Sequence, residues 1–141
     1  MSRFSFDFEG WTYRRPPADP IAIAALSDAS LVELPEAYVS LLRLSNGGGG
    51  PLSLEPGWFE FWPVQDVLPL NHGYGVREFA PGLFGFASNG GGELLAFDMR
   101  RGPPWRIVMV PFIGMKEADI IGIAADFSDF LMATRSEAPK T

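Results

Sequence analysis

The chain predicts an α+β domain. Two segments of helical periodicity come first, a block of strand-like runs follows, and one further helical segment closes the sequence. Two glycine tracts punctuate this order, Asn46-Gly47-Gly48-Gly49-Gly50 and Asn89-Gly90-Gly91-Gly92. Helices grouped on either side of a run of strands differ from the alternation that builds a doubly wound parallel sheet.

Taken in order, Phe4, Phe6 and Phe8 alternate like a short strand, and Arg14-Arg15-Pro16-Pro17 ends any continuation. Residues 1–17 read as an arm. Asp19 can cap a helix that has Pro20 in its first turn, with Ile21, Ile23 and Leu26 following. A second helix begins at Pro35, with Glu36 favourable to its dipole. Leu34, Tyr38, Leu41 and Leu42 mark its buried face, and Asn46-Gly47 ends it.

Beyond Gly50 the character is that of strands. Gly57 to Trp62 is dense in aromatics and stops at Pro63, which cannot donate to a sheet ladder. Pro63 to Leu68 reads as a helical turn and Asn71-His72-Gly73-Tyr74-Gly75 as a loop. Runs 83–88 and 93–98 flank Asn89-Gly90-Gly91-Gly92 as a hairpin, and a third strand spans Trp105 to Val110. Strands joined by short turns imply an antiparallel meander. The closing helix, about Asp126 to Arg135, has Asp126 as its cap and Ile123, Phe127, Phe130 and Leu131 facing inward. Residues 136–141 read as a frayed tail. With no repeat or linker, 1–141 is expected to be one domain.

Composition excludes several functions. With no cysteine and a single histidine, His72, a zinc site would rest on carboxylates, a poor set for that ion. No G-x-S-x-G elbow presents a serine, and no lysine follows either glycine tract as a phosphate loop requires. Catalytic residues, metal and cofactor are therefore expected to be absent. The net charge of −6, with only Lys116 and Lys140 as lysines, argues against binding nucleic acid. It favours encounter with a basic partner instead. The start Met1-Ser2-Arg3-Phe4 carries no apolar run of signal-peptide length, and no stretch is long enough to span a bilayer. A cytoplasmic location without membrane contact is expected.

The segment Leu54 to Asp66 sets Trp58, Phe59, Phe61 and Trp62 beside Glu60 and Asp66. Large aromatics next to acids anchor protein interfaces well, above all against arginine. Alternation places Phe59 and Phe61 on a core face and Trp58, Glu60 and Trp62 on an accessible one. Trp58, Glu60, Trp62 and Asp66 are thus the candidate partner-binding residues. Asp98 ends the apolar run Leu94-Leu95-Ala96-Phe97, where a carboxylate can accept backbone N–H groups of the following turn. A pair of acids could in principle serve a carboxylate-dependent hydrolase, but no context marks one.

Three blocks resemble a known family. Leu34-Pro35-Glu36-Ala37-Tyr38 through Leu41-Leu42 to Ser45-Asn46-Gly47 is similar to the "LP-x-x-Y" to "NG" signature of the SUKH superfamily, in the branch of the Smi/Knr cell-wall-assembly regulators. Phe84 to Ser88, Asn89-Gly90-Gly91-Gly92-Glu93 and Phe97-Asp98 resemble its glycine-rich hairpin, and Ile123-Ala124 with Phe127, Phe130 and Leu131 its closing helix. Asn89 stands where the family often has Asp. The resemblance implies a mixed, mostly antiparallel sheet with N-terminal helices and a C-terminal helix packed on it. Pro35, Tyr38, Asn46, Gly47, Asn89, Gly90, Gly91, Asp98, Phe127 and Phe130 are then motif residues of the scaffold. It also implies protein binding without catalysis: an immunity protein neutralising a nuclease or deaminase toxin, or an intracellular regulatory module.

Overall fold

A computed structural model describes residues 4–30 and 32–135 of the chain. The tail expected at 136–141 lies outside them, as do residues 1–3 of the arm. Strand β1 (Tyr13–Arg14) precedes helices α1 (Pro20–Ala29) and α2 (Glu36–Leu42). Strands β2 (Gly48–Pro51) and β3 (Trp58–Phe61) lead to helices α3 (Val64–Gly73) and α4 (Val76–Phe79). Strands β4 (Leu83–Ser88), β5 (Glu93–Asp98), β6 (Arg106–Pro111) and β7 (Ile121–Ala124) follow, and α5 (Phe127–Ala133) closes the fold. The seven strands form one sheet in chain order, β1 to β7. Every pairing is antiparallel, so the expected mixed sheet narrows to a meander.

Local chemistry explains the helix starts. The Asp19 side chain accepts from Ile21 N at 2.9 Å and that of Asp126 from Asp129 N at 2.9 Å, each satisfying an amide that the first turn leaves free. Helix α2 buries Tyr38, Leu41 and Leu42, and α5 buries Phe127, Phe130 and Leu131. Their aromatic rings meet Phe59, Phe61, Phe86 and Phe97 of the sheet. This face of the sheet is the main core.

Phe86 is its centre. The β4–β5 register shifts between Gly85 and Ala87, which makes Phe86 the extra residue of a bulge. Its ring lies 4.5 Å from that of Phe97. The Phe86 carbonyl accepts from Trp62 N at 3.0 Å, just past the end of β3. There the chain leaves the sheet for α3, and the Asn71 side chain takes the place that β3 vacates. Its Oδ1 accepts from Gly85 N at 2.8 Å and its Nδ2 donates to the Gly85 and Val67 carbonyls at 2.9 and 2.7 Å.

Four expectations need correction. The alternating Phe4, Phe6 and Phe8 form no strand; the rings of Phe6 and Phe8 pack edge-on against Trp11, at 5.7 and 4.8 Å. Residues 71–73 belong to α3 and not to a loop, since the Asn71–Gly85 bonds hold the helix beyond Pro69. Ile123 lies on β7 and not on the closing helix. The first glycine tract does more than stop a helix: Gly48, Gly49 and Gly50 are a buried strand between β1 and β3.

Gly48 shows why those positions lack side chains. Its φ is +124°, and an added Cβ would stand 2.7 Å from the Trp11 ring and 2.9 Å from the Tyr13 carbonyl oxygen. Gly57 has a similar φ of +91° but open space around it. Gly48→Ala is therefore expected to cost about 2–4 kcal/mol, combining left-handed strain with overpacking. Gly57→Ala is expected to cost only about 1 kcal/mol. Denaturant melts of the two variants check this; equal losses would mean that the Trp11 contact is unimportant.

Candidate partner-binding surface

The pleat of β3 divides the aromatic-acidic segment. Phe59 and Phe61 enter the core, while Trp58 and Glu60 stay half-buried on the opposite side. The Trp58 indole Nε1 donates to Glu60 Oε2 at 3.0 Å, which holds both side chains against the sheet. Glu60 sits in a cross-strand row with Tyr13, Gly49 and Ser88. The bare backbone of Gly49 lets the Tyr13 ring lie beside the Glu60 stem, since an added Cβ would stand 3.0 Å from Tyr13 Cε1 and 3.2 Å from Glu60 Cγ. Burial pushes the Tyr13 phenol pKa up, the Glu60 charge raises it further, and Arg15 opposes both.

The hairpin turn forms the other border. Asn89 Oδ1 accepts from Gly91 N and Glu93 N at 3.0 and 3.1 Å, and its Nδ2 donates to Glu93 Oε1 at 2.6 Å. An asparagine here folds the turn by itself. Gly90 follows at φ +78°, and a Cβ on it would stand 2.9 Å from both Glu60 Oε2 and Trp58 Cδ1. The turn can approach the pair this closely only as glycine.

Two further candidates fall elsewhere. Trp62 is buried, 8% exposed, against expectation. It follows the last residue of β3, and its ring edge would lie 3.3 Å from a Cβ on Gly85, beside Asn71. Asp66 is exposed in the first turn of α3, where its charge favours the helix dipole. Asn46 ties this corner together: its Oδ1 accepts from Val64 N at 2.6 Å and its Nδ2 donates to Gln65 Oε1 at 3.1 Å. Gly47 beside it has φ +103°.

Asp98 occupies a different place in the sheet. Its Oδ1 accepts from Arg100 N and Nε at 3.1 and 2.9 Å, and its Oδ2 from an Arg100 terminal nitrogen and Arg106 Nε at 2.9 Å each. Hydrogen bonding to Arg100 holds its carboxyl well below the usual carboxylate range, the Arg100 amide and Arg106 add to this, and burial opposes it. The Arg100 amide and guanidinium from the turn and Arg106 Nε from β6 all address this one carboxylate, which is thereby tied up as a structural clamp. Among the described residues no group of three His, Asp or Glu side chains is placed to hold a metal ion. No helix among them is long and apolar enough to cross a membrane.

Tyr13, Asn71, Arg100 and Arg106 are contributors that sequence reasoning missed. Asn71 was hidden by Pro69 and Gly73, and Arg106 lies one strand away from Asp98. These features, an antiparallel sheet with its glycine hairpin and a closing helix on an aromatic core, agree with a family model. The model of the SMI1/KNR4 family (SUKH-1) matches residues 17–133. The chain belongs to the SMI1/KNR4 family (SUKH-1). SUKH membership fits a domain that binds protein or confers immunity, in a family generally without catalysis. Among curated proteins nothing matches the chain. In this SUKH-1 member, Tyr38, Phe127 and Phe130 belong to the α2 and α5 side of the core, and Pro35 stands half-buried at the start of α2.

Proposed function

We propose that this chain is an immunity-type protein that binds and neutralises a cognate toxin of the nuclease or deaminase class in the cytoplasm. The contact surface of this reading is the Trp58–Glu60 pair with Tyr13, bordered by the Gly90 turn. The observation that carries it is the Trp58–Glu60 bond of 3.0 Å on a half-open face of an acidic SUKH-1 domain. A carboxylate held beside an indole suits an arginine or lysine of a basic partner through charge and ring together. Many nucleases carry basic surfaces, which complements the net charge of −6.

Co-expression tests the reading. Cells producing the toxin encoded beside this gene are expected to survive with the wild-type chain and to lose protection with Glu60→Lys. Survival that is identical with and without the wild-type chain would remove the immunity role. Protection undiminished by both Glu60→Lys and Trp58→Ala would move the contact to another surface.

A further inference from the structure

A groove of about 410 Å³ opens where the start of α2 meets the Pro103–Trp105 turn and the start of α5. Pro35, Pro104, Trp105 and Phe127 give it apolar walls. Glu33, Glu36 and Asp126 also line it, and no lysine or arginine does. Glu33 and Glu36 are exposed, and neither forms an ion pair among the described residues. Of the three arginines in the neighbouring turn region, Arg100 and Arg106 are held by Asp98. Glu33 and Glu36 thus stand without an ion-pair partner among the described residues, in a groove that also holds a half-buried indole, while Asp126 is engaged in capping α5. Trp58 and Glu60 face the other side of the sheet.

We infer that this groove docks a short basic segment of a protein partner. An arginine or lysine side chain lies against Trp105 between Glu33 and Glu36, and an adjoining aliphatic residue fills the Pro35–Phe127 wall. Charge selects the occupant: an acidic segment, or a second copy of this chain with its net charge of −6, would bring carboxylates onto carboxylates. The cation over the indole gains from ring and carboxylate at once. The inference rests on the proposed protein-binding role and adds to it a second surface with a defined chemistry.

Titration calorimetry with a short synthetic peptide of alternating arginine and leucine tests it. The expected result is saturable binding that weakens with salt. Affinity should fall about tenfold in Trp105→Ala and in the pair Glu33→Lys/Glu36→Lys, and far less in the charge-matched pair Glu55→Lys/Glu78→Lys, two exposed glutamates outside the groove. Trp105 packs 6.2 Å from Phe97, so its variant can lower Tm; the groove glutamate pair gives an answer that does not depend on that contact. Absence of saturation, undiminished affinity in Glu33→Lys/Glu36→Lys, equal binding of a glutamate–leucine peptide, or an equal loss in Glu55→Lys/Glu78→Lys would each overturn the inference. So would a dimer of the free chain that the groove glutamate pair dissociates. Failure of the peptide to bind removes the groove alone; the proposed function falls separately, on the co-expression result.

Discussion

Phe86→Ala is expected to destabilise the chain by about 3–5 kcal/mol, a fall of roughly 10–20 °C in Tm for a domain of this size. Phe86 is fully buried and its ring meets those of Tyr38, Phe61, Phe97, Phe127 and Phe130, at 4.5 to 5.8 Å. Those five rings come from both core helices and two neighbouring strands, so no single element can collapse into the space. The lost transfer energy and the residual cavity then add. The β4 bulge aims the ring, and the backbone bond from Trp62 N remains in the variant. Calorimetric melting checks this; a fall below about 1 kcal/mol would mean that the aromatic face repacks as a fluid layer.

Asp98→Asn is the second large effect, about 2–3 kcal/mol at neutral pH. The amide keeps the shape but loses the charge that four hydrogen bonds address. The cost stays below that of a wholly buried pair because Arg100 and Arg106 are 32% and 45% exposed and can rehydrate. The sign with pH follows from the depressed carboxyl. A group whose pKa is lower folded than unfolded stabilises fully above its unfolded value, about 4. That contribution is lost as pH falls from there towards the folded value. The wild type is therefore expected to exceed Asp98→Asn at pH 7 and to converge on it as pH falls from about 5 towards 2. A difference in denaturation midpoint that stays constant over that range would contradict the clamp.

The parts of the fold that were legible are those decided locally. Asp19-Pro20 announces α1, and Asn89-Gly90 announces the β4–β5 hairpin because the asparagine bonds two amides within four residues of itself. The missed parts depend on distant partners. Gly48 to Gly50 have poor intrinsic strand preference, and only β1 and β3 on either side make them a strand, with the Trp11 ring packed against Gly48. Pro69 and Gly73 signal a break that the bonds from Asn71 to Gly85 override. Ile121 to Ala124 form a strand of four residues containing a glycine, directly before a helix cap, too short for a period of two to declare itself.

The site divides in the same way. Alternation correctly separated Trp58 and Glu60 from Phe59 and Phe61, because all four lie within β3. It failed for Trp62, one residue past the strand, where the chain turns away and the side chain settles beside Gly85. Tyr13 could not be foreseen as a neighbour of Glu60, since the intervening strand is the glycine tract itself. The acceptor role of Asp98 towards its own turn was legible, whereas its second arginine pairs across the sheet from β6.

Titration of the cognate toxin that the proposed function requires, in purified form, against the wild type and the Trp58→Ala/Glu60→Lys double variant, with melting curves taken in parallel, tests the central claim most directly. A half-open indole and carboxylate that anchor a basic partner predict an affinity loss of about a hundredfold or more with Tm little changed. Equal affinity in the double variant, or a loss accompanied by an equal collapse in stability, would contradict it.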